Sequence, residues 1–144
     1  MITGEFKNSL DEKGRILIPS RLRSAITGNV MVLTRGVDRC LWLFPPEEWK
    51  HISGNLMGST SMFNARARLI QRRIIAPAIE VEIDRAGRIN IPPTLREYAR
   101  LNKDCVILGI ENRIELWDEG EYKNYWETSE AEWQQASEEL SKII

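Results

Sequence analysis

Residues 11–19 read DEKGRILIP, and seventy-three positions later residues 84–92 read DRAGRINIP. The match runs on without a gap. Asp11, Gly14, Arg15, Ile16, Ile18, Pro19, Leu22 and Arg23 recur as Asp84, Gly87, Arg88, Ile89, Ile91, Pro92, Leu95 and Arg96. Farther along, Asn29, Gly36, Leu43 and Glu48 recur as Asn102, Gly109, Leu116 and Glu121. So many identities on one diagonal mark an internal duplication of about 45 residues. Two copies are too few for a solenoid. They fit a pseudo-twofold unit in which each half completes the core of the other.

Each copy reads locally as strand, turn, strand, short helix and hairpin. Asp at the first and Gly at the fourth position (Asp11 and Gly14, Asp84 and Gly87) are a type I turn signature, and such a glycine takes positive φ in a hairpin bulge. In the strand that follows, Ile16 and Ile18, or Ile89 and Ile91, alternate onto a buried face. Arg15, Leu17, Arg88 and Asn90 point the other way. Proline ends the strand and opens a helix. The spacing predicts helices over SRLRSAIT and PTLREYAR, with Leu22 and Leu95 inward, Arg23 and Arg96 outward, and Gly28 and Asn102 as stops. The expected organisation is repeat 1 over 5–48, a helical insert over 49–76, repeat 2 over 77–121 and an acidic amphipathic helix over 122–144.

In the insert, PPEEWKHI starts a helix, and Gly54, Gly58, Ser59 and Thr60 mark a loop. SMFNARARLIQRRI then places Phe63, Ala67, Ile70 and Ile74 on one stripe. Arg66, Arg68, Arg72 and Arg73 occupy other faces, either to meet DNA or, preferably, to pair with the acidic end of this or a neighbouring chain. Ser129 with Glu132 forms a capping box for the last helix. Five tryptophans suit core or subunit anchors.

The formal net charge is −1 over 144 residues, which conceals an asymmetry. Residues 1–50 carry 8 Lys/Arg against 6 Asp/Glu, residues 51–100 carry 8 against 4, and residues 101–144 carry 4 against 11. The first hundred residues are basic and the end is acidic. No apolar run is long enough for a membrane helix, and the polar N-terminus lacks the apolar segment of a signal peptide, so a cytoplasmic location is expected. Cys40 and Cys105 lie in apolar stretches and read as reduced core residues. One histidine, His51, without cysteines beside it offers no metal site. Neither a Gly-rich phosphate loop nor a nucleophile–base cluster is present, so no enzyme, cofactor or small-molecule substrate is expected.

The element D-x-x-G-R-[apolar]-x-I-P-x-x-L-R resembles the signature of the AbrB-type DNA-binding fold. Two copies separated by a helical insert resemble the MraZ family of bacterial transcription regulators, from Gly4 to about Tyr122. The resemblance implies an α+β, strand-rich, interlocked double-split β-barrel built as a single-chain pseudo-dimer, with chains closing into a ring. It implies binding to repeated double-stranded DNA sites in the promoter of a division and cell-wall operon, and hence a nucleoid-associated protein. The Asp-x-x-x-Arg pairs, Asp11 with Arg15 and Asp84 with Arg88, are the feature that marks the family.

An arginine just after a turn is restrained at its base and free at its tip, suited to guanine O6 and N7 or to a phosphate. The same arginines can instead brace their loops through the aspartates, and both duties are compatible. Lys7, Lys13, Arg15, Arg21 and Arg23 make copy one the richer DNA face. Copy two offers Arg85 and Arg88, with Arg96 nearby, but Glu80 and Glu82 precede its turn. The rival reading is an antitoxin-like module with the same barrel, binding a protein partner.

Overall fold

The computed structural model describes residues 2–59 and 61–144. Thr60, placed by the sequence reading in a loop, lies outside them. The first repeat forms β1 (Thr3–Ser9), β2 (Arg15–Leu17), α1 (Ser20–Arg23), β3 (Val30–Arg35) and β4 (Leu41–Phe44). The insert holds α2 (Pro46–Ser59), α3 (Ala65–Ile70) and a π-helical turn (Gln71–Ile75). The second repeat forms β5 (Ile79–Glu82), β6 (Arg88–Asn90), α4 (Pro93–Tyr98), β7 (Asp104–Ile110) and β8 (Ile114–Asp118), followed by α5 (Glu119–Thr128) and α6 (Glu130–Leu140). The fold is mixed and strand-rich, and its paired strands run antiparallel.

The halves share their sheets. Six strands follow the order β1-β7-β8-β4-β3-β5, and β2 pairs with β6 as a separate ribbon. The first strand of each repeat therefore pairs with the third strand of the other: Phe6 faces Ile107 and Val81 faces Met31. In the ribbon Ile16 faces Ile89. Both isoleucines are fully buried with Ile18, Ile91, Leu41 and Leu116 in one core drawn from both repeats. Each fully buried side chain of this size contributes roughly 1.5–3 kcal/mol of transfer free energy. Cutting the chain between repeats would expose both partners of most pairs.

Both turns close as the sequence predicts. Gly14 N donates to Asp11 O at 3.0 Å and Gly87 N to Asp84 O at 2.9 Å. The glycines sit at φ 79° and 87°, where a side chain is strained.

The helices depart from expectation at their ends. α1 stops at Arg23, and Ser24 Oγ donates back to Arg21 O at 2.9 Å, a local bond that competes with helix continuation. After α4 the left-handed stop is Arg100 (φ 56°), not Asn102. Leu101 N donates to Arg96 O and Arg100 N to Glu97 O, a Schellman closure with arginine in the place glycine usually takes. Helix α2 runs through Gly54 and Gly58, which do not break it. Asn64 caps α3 by accepting from Arg66 N and Ala67 N, so Phe63 lies before the helix and outside the expected stripe. Ala67 and Ile74 are buried, whereas Ile70 is exposed. Thr34 Oγ1 donates to Ile74 O at 2.6 Å and fastens the insert to β3.

The acidic end forms two helices rather than one. Asp118 caps α5 by accepting from Glu121 N at 3.2 Å. Tyr122 then meets the buried Trp117 edge-on and Tyr125 packs against it at a tilt, with ring centroids 5.2 and 5.0 Å away. Ser129 makes no side-chain cap, so the Ser129–Glu132 box is not formed. Cys40 and Cys105 are free thiols inside the protein. Trp42 packs beside Cys40, whereas Trp126 and Trp133 are exposed.

Candidate nucleic-acid interface

The β2–β6 ribbon positions the repeated arginines. Ile16 and Ile89 face the core, so alternation turns Arg15 and Leu17, and Arg88 and Asn90, to the opposite face. Each arginine is tied to its turn. Asp11 Oδ1 accepts from Lys13 N at 2.9 Å and Arg15 N at 2.8 Å, while Oδ2 accepts from Arg15 Nε at 2.8 Å. In copy two, Asp84 Oδ1 accepts from Ala86 N and Arg88 N, both at 2.9 Å, and Oδ2 from Arg88 Nε at 3.3 Å. The sequence left loop bracing by Arg15 open beside DNA contact. The structure shows the bracing, made through Nε. Among the described residues, hydrogen-bond partners engage only Nε of either guanidinium, and the one further ion-pair contact of a terminal nitrogen is the 3.9 Å approach of Arg88 Nη1 to Asp11 Oδ2.

The carboxylates are held ionised. Backbone donation from Arg15 is the largest cause pulling Asp11 below the usual aspartate value, with desolvation opposing and the Arg15 side chain assisting. Asp84 is lowered in the same way, first by backbone donation from Arg88. Charge on both aspartates therefore persists through the neutral range, and so does the grip on each arginine.

Arg23 and Arg96 are placed differently from expectation. Neither points freely outward; both are half-buried and cross to the turn of the opposite repeat. Arg23 Nε donates to Ile18 O at 2.8 Å, and its guanidinium lies against Gly87, where an added Cβ would stand 2.5 Å from Cζ. Arg96 covers Gly14 in the same manner, at 2.9 Å, with its Nε buried and unpartnered. Backbone bonds reinforce the crossing: Ile18 N donates to Gly87 O and Ile91 N to Gly14 O. The turn glycines thus have two duties, positive φ and room for an arginine from the other half. The co-occurrence of Gly and Arg in both copies was the available signal for this contact.

The remaining cations divide by location. Lys13 and Arg85 are exposed at the turn tips and Arg21 is exposed on α1. Lys7 lies on β1 and pairs with Glu119 of α5 at 3.7 Å. Sequence reasoning missed Asn8, whose Nδ2 donates to Leu17 O at 2.8 Å and ties β1 to the ribbon. It also missed Glu115, buried in β8, which accepts from Trp42 Nε1 and Trp117 Nε1 and pairs with Arg113 at 2.9 Å. Neither residue stands in a repeated pattern. Among the described residues, Arg66, Arg68, Arg72 and Arg73 form no ion pair with the acidic end of their own chain.

No helix of the described residues is long and apolar enough to cross a membrane. Comparison with known proteins finds the family described as "MraZ protein, putative antitoxin-like", matched twice, over residues 1–73 and 74–143. A protein of Treponema denticola named "Transcriptional regulator MraZ" is 49% identical over 99% of both chains. One of the same name from Treponema pallidum is 46% identical over 98% of this chain and 95% of that one. A third, from Natranaerobius thermophilus, is 38% identical over 97% and 96%. On these matches, over both repeats and nearly the whole length, the chain belongs to the MraZ family.

Proposed function

We propose that this protein is a transcriptional regulator that binds double-stranded DNA through the outward face of the β2–β6 ribbon. The observation that carries the reading is the pairing of Arg15 and Arg88 on that face, each hydrogen-bonded to an aspartate through Nε, with no hydrogen bond among the described residues at its terminal nitrogens. A fork held in this way enters a groove with little rotamer freedom left to lose, and its end can meet guanine O6 and N7 or two phosphate oxygens. Lys13, Arg85 and Arg21 supply phosphate contacts around it. Arg23 and Arg96 act mainly by stiffening the opposite turn, and Lys7 is a peripheral contributor because Glu119 already engages it.

The exchange of strands between repeats supports reading the fold as an interlocked barrel, a dimer-like unit in one chain. A nearly neutral molecule with few contacts per chain gains useful affinity when copies act together on repeated sites. We therefore infer a ring of identical chains on promoter repeats of its own operon, spaced near one helical turn, about 10 bp, in a cytoplasmic, nucleoid-associated protein. The relatives named as transcriptional regulators support the regulatory role. The antitoxin-like alternative is favoured by the family description. It is weakened by the acidic end, which folds as α5 and α6 where a partner-wrapping tail would be extended.

The test is a gel-shift titration against upstream DNA with Arg15→Ala, Arg88→Ala and the double variant. Each engaged phosphate contributes about −0.9 to the log–log salt slope, and a base-reading arginine about 1–3 kcal/mol of affinity. Wild-type affinity and slope in the folded double variant would remove the ribbon from the interface.

A further inference from the structure

Three arginines meet at a place that the duplication does not explain. Arg35 ends β3, Arg39 stands in the turn after it, and Arg73 lies in the π-helical turn of the insert. With Thr94, Glu97 and Tyr98 of α4 they line an open cavity of about 400 Å³. The first repeat, the insert and the second repeat each contribute a wall. Tyr98 joins two of them. Its hydroxyl donates to Gly36 O at 2.8 Å, and the guanidinium carbons of Arg35 and Arg39 lie 5.2 and 5.0 Å from its ring centroid. At the matching positions of the other half stand Leu108, Asn112 and Ala25 in place of Arg35, Arg39 and Tyr98. That half forms the same strands and helix without these side chains, so the repeated architecture does not require them.

The positive charge gathered here is not balanced from within. Among the described residues none of the three arginines has an ion-pair partner. Glu97 is the one acid that lines the cavity, and it pairs with none of them. Arg35 Nε is buried without a hydrogen-bond partner among the described residues. A guanidinium nitrogen stripped of water and given no acceptor is costly. The Tyr98 ring attracts the cations above it but supplies no acceptor oxygen. The cavity has the size of a small-molecule site, yet its walls are charged where such sites are mostly apolar.

We propose that this cavity binds a small phosphoryl anion, a free phosphate or diphosphate or the terminal phosphate of a small molecule. Guanidinium forks match the oxygens of one tetrahedral phosphate, two at a time. Here the forks come from three separate segments, and the Thr94 hydroxyl adds a donor. Three arginines against one glutamate leave two net positive charges, the complement of a dianion. A single carboxylate brings half of that. The phosphodiesters of DNA offer the same chemistry, but one charge at a time and along a stiff duplex, whereas a recess between a turn, a helix and the insert suits a compact ligand. Glu97 works against any anion held there and lowers the affinity. The site is separate from the β2–β6 ribbon and does not depend on the reading of that ribbon.

The test is calorimetric titration of the full chain with pyrophosphate, in phosphate-free buffer and without DNA. Wild type is expected to bind one pyrophosphate per chain. Arg39→Gln with Arg73→Gln is expected to bind about tenfold or more weakly, since each arginine makes a charge-assisted bond. Both positions are exposed, and circular dichroism checks that the fold survives. Arg66→Gln with Arg72→Gln removes the same charge from exposed positions of the insert that do not line the cavity, and is expected to keep wild-type affinity. Glu97→Gln is expected to bind more tightly than wild type. The Arg35 Nε–H resonance should shift as the site fills. No saturable binding by wild type, equal weakening by both double variants, or weaker binding by Glu97→Gln overturns the proposal. A gel shift separates the two sources of phosphate. If wild type takes no pyrophosphate and Arg39→Gln with Arg73→Gln loses affinity for duplex DNA, the proposal is overturned and these arginines belong to the DNA interface.

Discussion

Arg88 Nη1 of the second repeat comes within 3.9 Å of Asp11 Oδ2 of the first, the oxygen that already accepts from Arg15 Nε at 2.8 Å. Among the described residues no matching contact joins Arg15 to Asp84. One carboxylate therefore faces both arginines and the other faces a single one. Asp11→Asn should loosen Arg15 and Arg88 together, whereas Asp84→Asn should loosen Arg88 alone. Nitrogen-15 relaxation at the two Nε–H groups reads this directly. Equal effects of the two substitutions would show the halves to be equivalent at this point.

The same carboxylates set an acid limit. Their folded pKa values are depressed from an unperturbed 3.8, so the stabilisation they supply is fully present above that value and is lost as pH falls through the folded values. Carboxyl titration by NMR should place Asp11 and Asp84 below 3.8, and the arginine Nε–H signals should broaden over the same range. A midpoint above 3.8 for either residue would contradict the hydrogen bonding described.

Gly87→Ala should be costly for two separable reasons. Alanine is strained at φ 87°, by about 1–3 kcal/mol, and its Cβ displaces the Arg23 guanidinium from Ile18 O. The displacement is relieved once Arg23 is shortened, but the backbone strain is not. In urea unfolding, Gly87→Ala should therefore cost less in an Arg23→Ala background than in wild type. Strict additivity would mean that the arginine does not bear on the glycine.

The two thiols should be silent in the native protein. Burial pushes Cys105 up to about 11 and Cys40 higher still, with nearby carboxylates adding to both. Thiol reagents at pH 8 should react only as the protein unfolds. Rapid labelling of either cysteine under native conditions would place it at the surface.

The two repeats should not fold apart. A chain of residues 1–76 lacks the β7 partner of β1 and the β5 partner of β3. Each fragment alone should show no cooperative thermal transition, and mixing the fragments should restore one. Independent folding of either would argue against the shared core.

What was legible in the sequence was whatever the duplication wrote twice. The turn residues Asp11 and Gly14, the inward Ile16 and Ile18 and the outward Arg15 follow from local stereochemistry and period-two alternation, and they sit where the pattern puts them. Arg23 was legible as a repeated residue but not as a cross-half contact, because helical periodicity gives a face and says nothing of a neighbour from elsewhere in the chain. The Arg100 stop was missed because glycine and asparagine are the ordinary signals for left-handed backbone, and here tertiary closure through Leu101 outweighs that preference. Gly54 and Gly58 misled in the opposite direction: each costs a helix about 1 kcal/mol, yet α2 runs through both as it lies against β3 and β4.

Thr3 stands opposite Ile110, so β1 finds its partner only after the insert and most of the second repeat have been made. During synthesis the first repeat leaves the ribosome with β1 and β3 each lacking a hydrogen-bonded neighbour, an open template for another nascent chain. Pairings so distant in sequence also slow refolding, since loop closure precedes any reward from contact. Having both repeats on one polypeptide limits this exposure, because the missing strands arrive tethered, at a local concentration that separate chains would not reach.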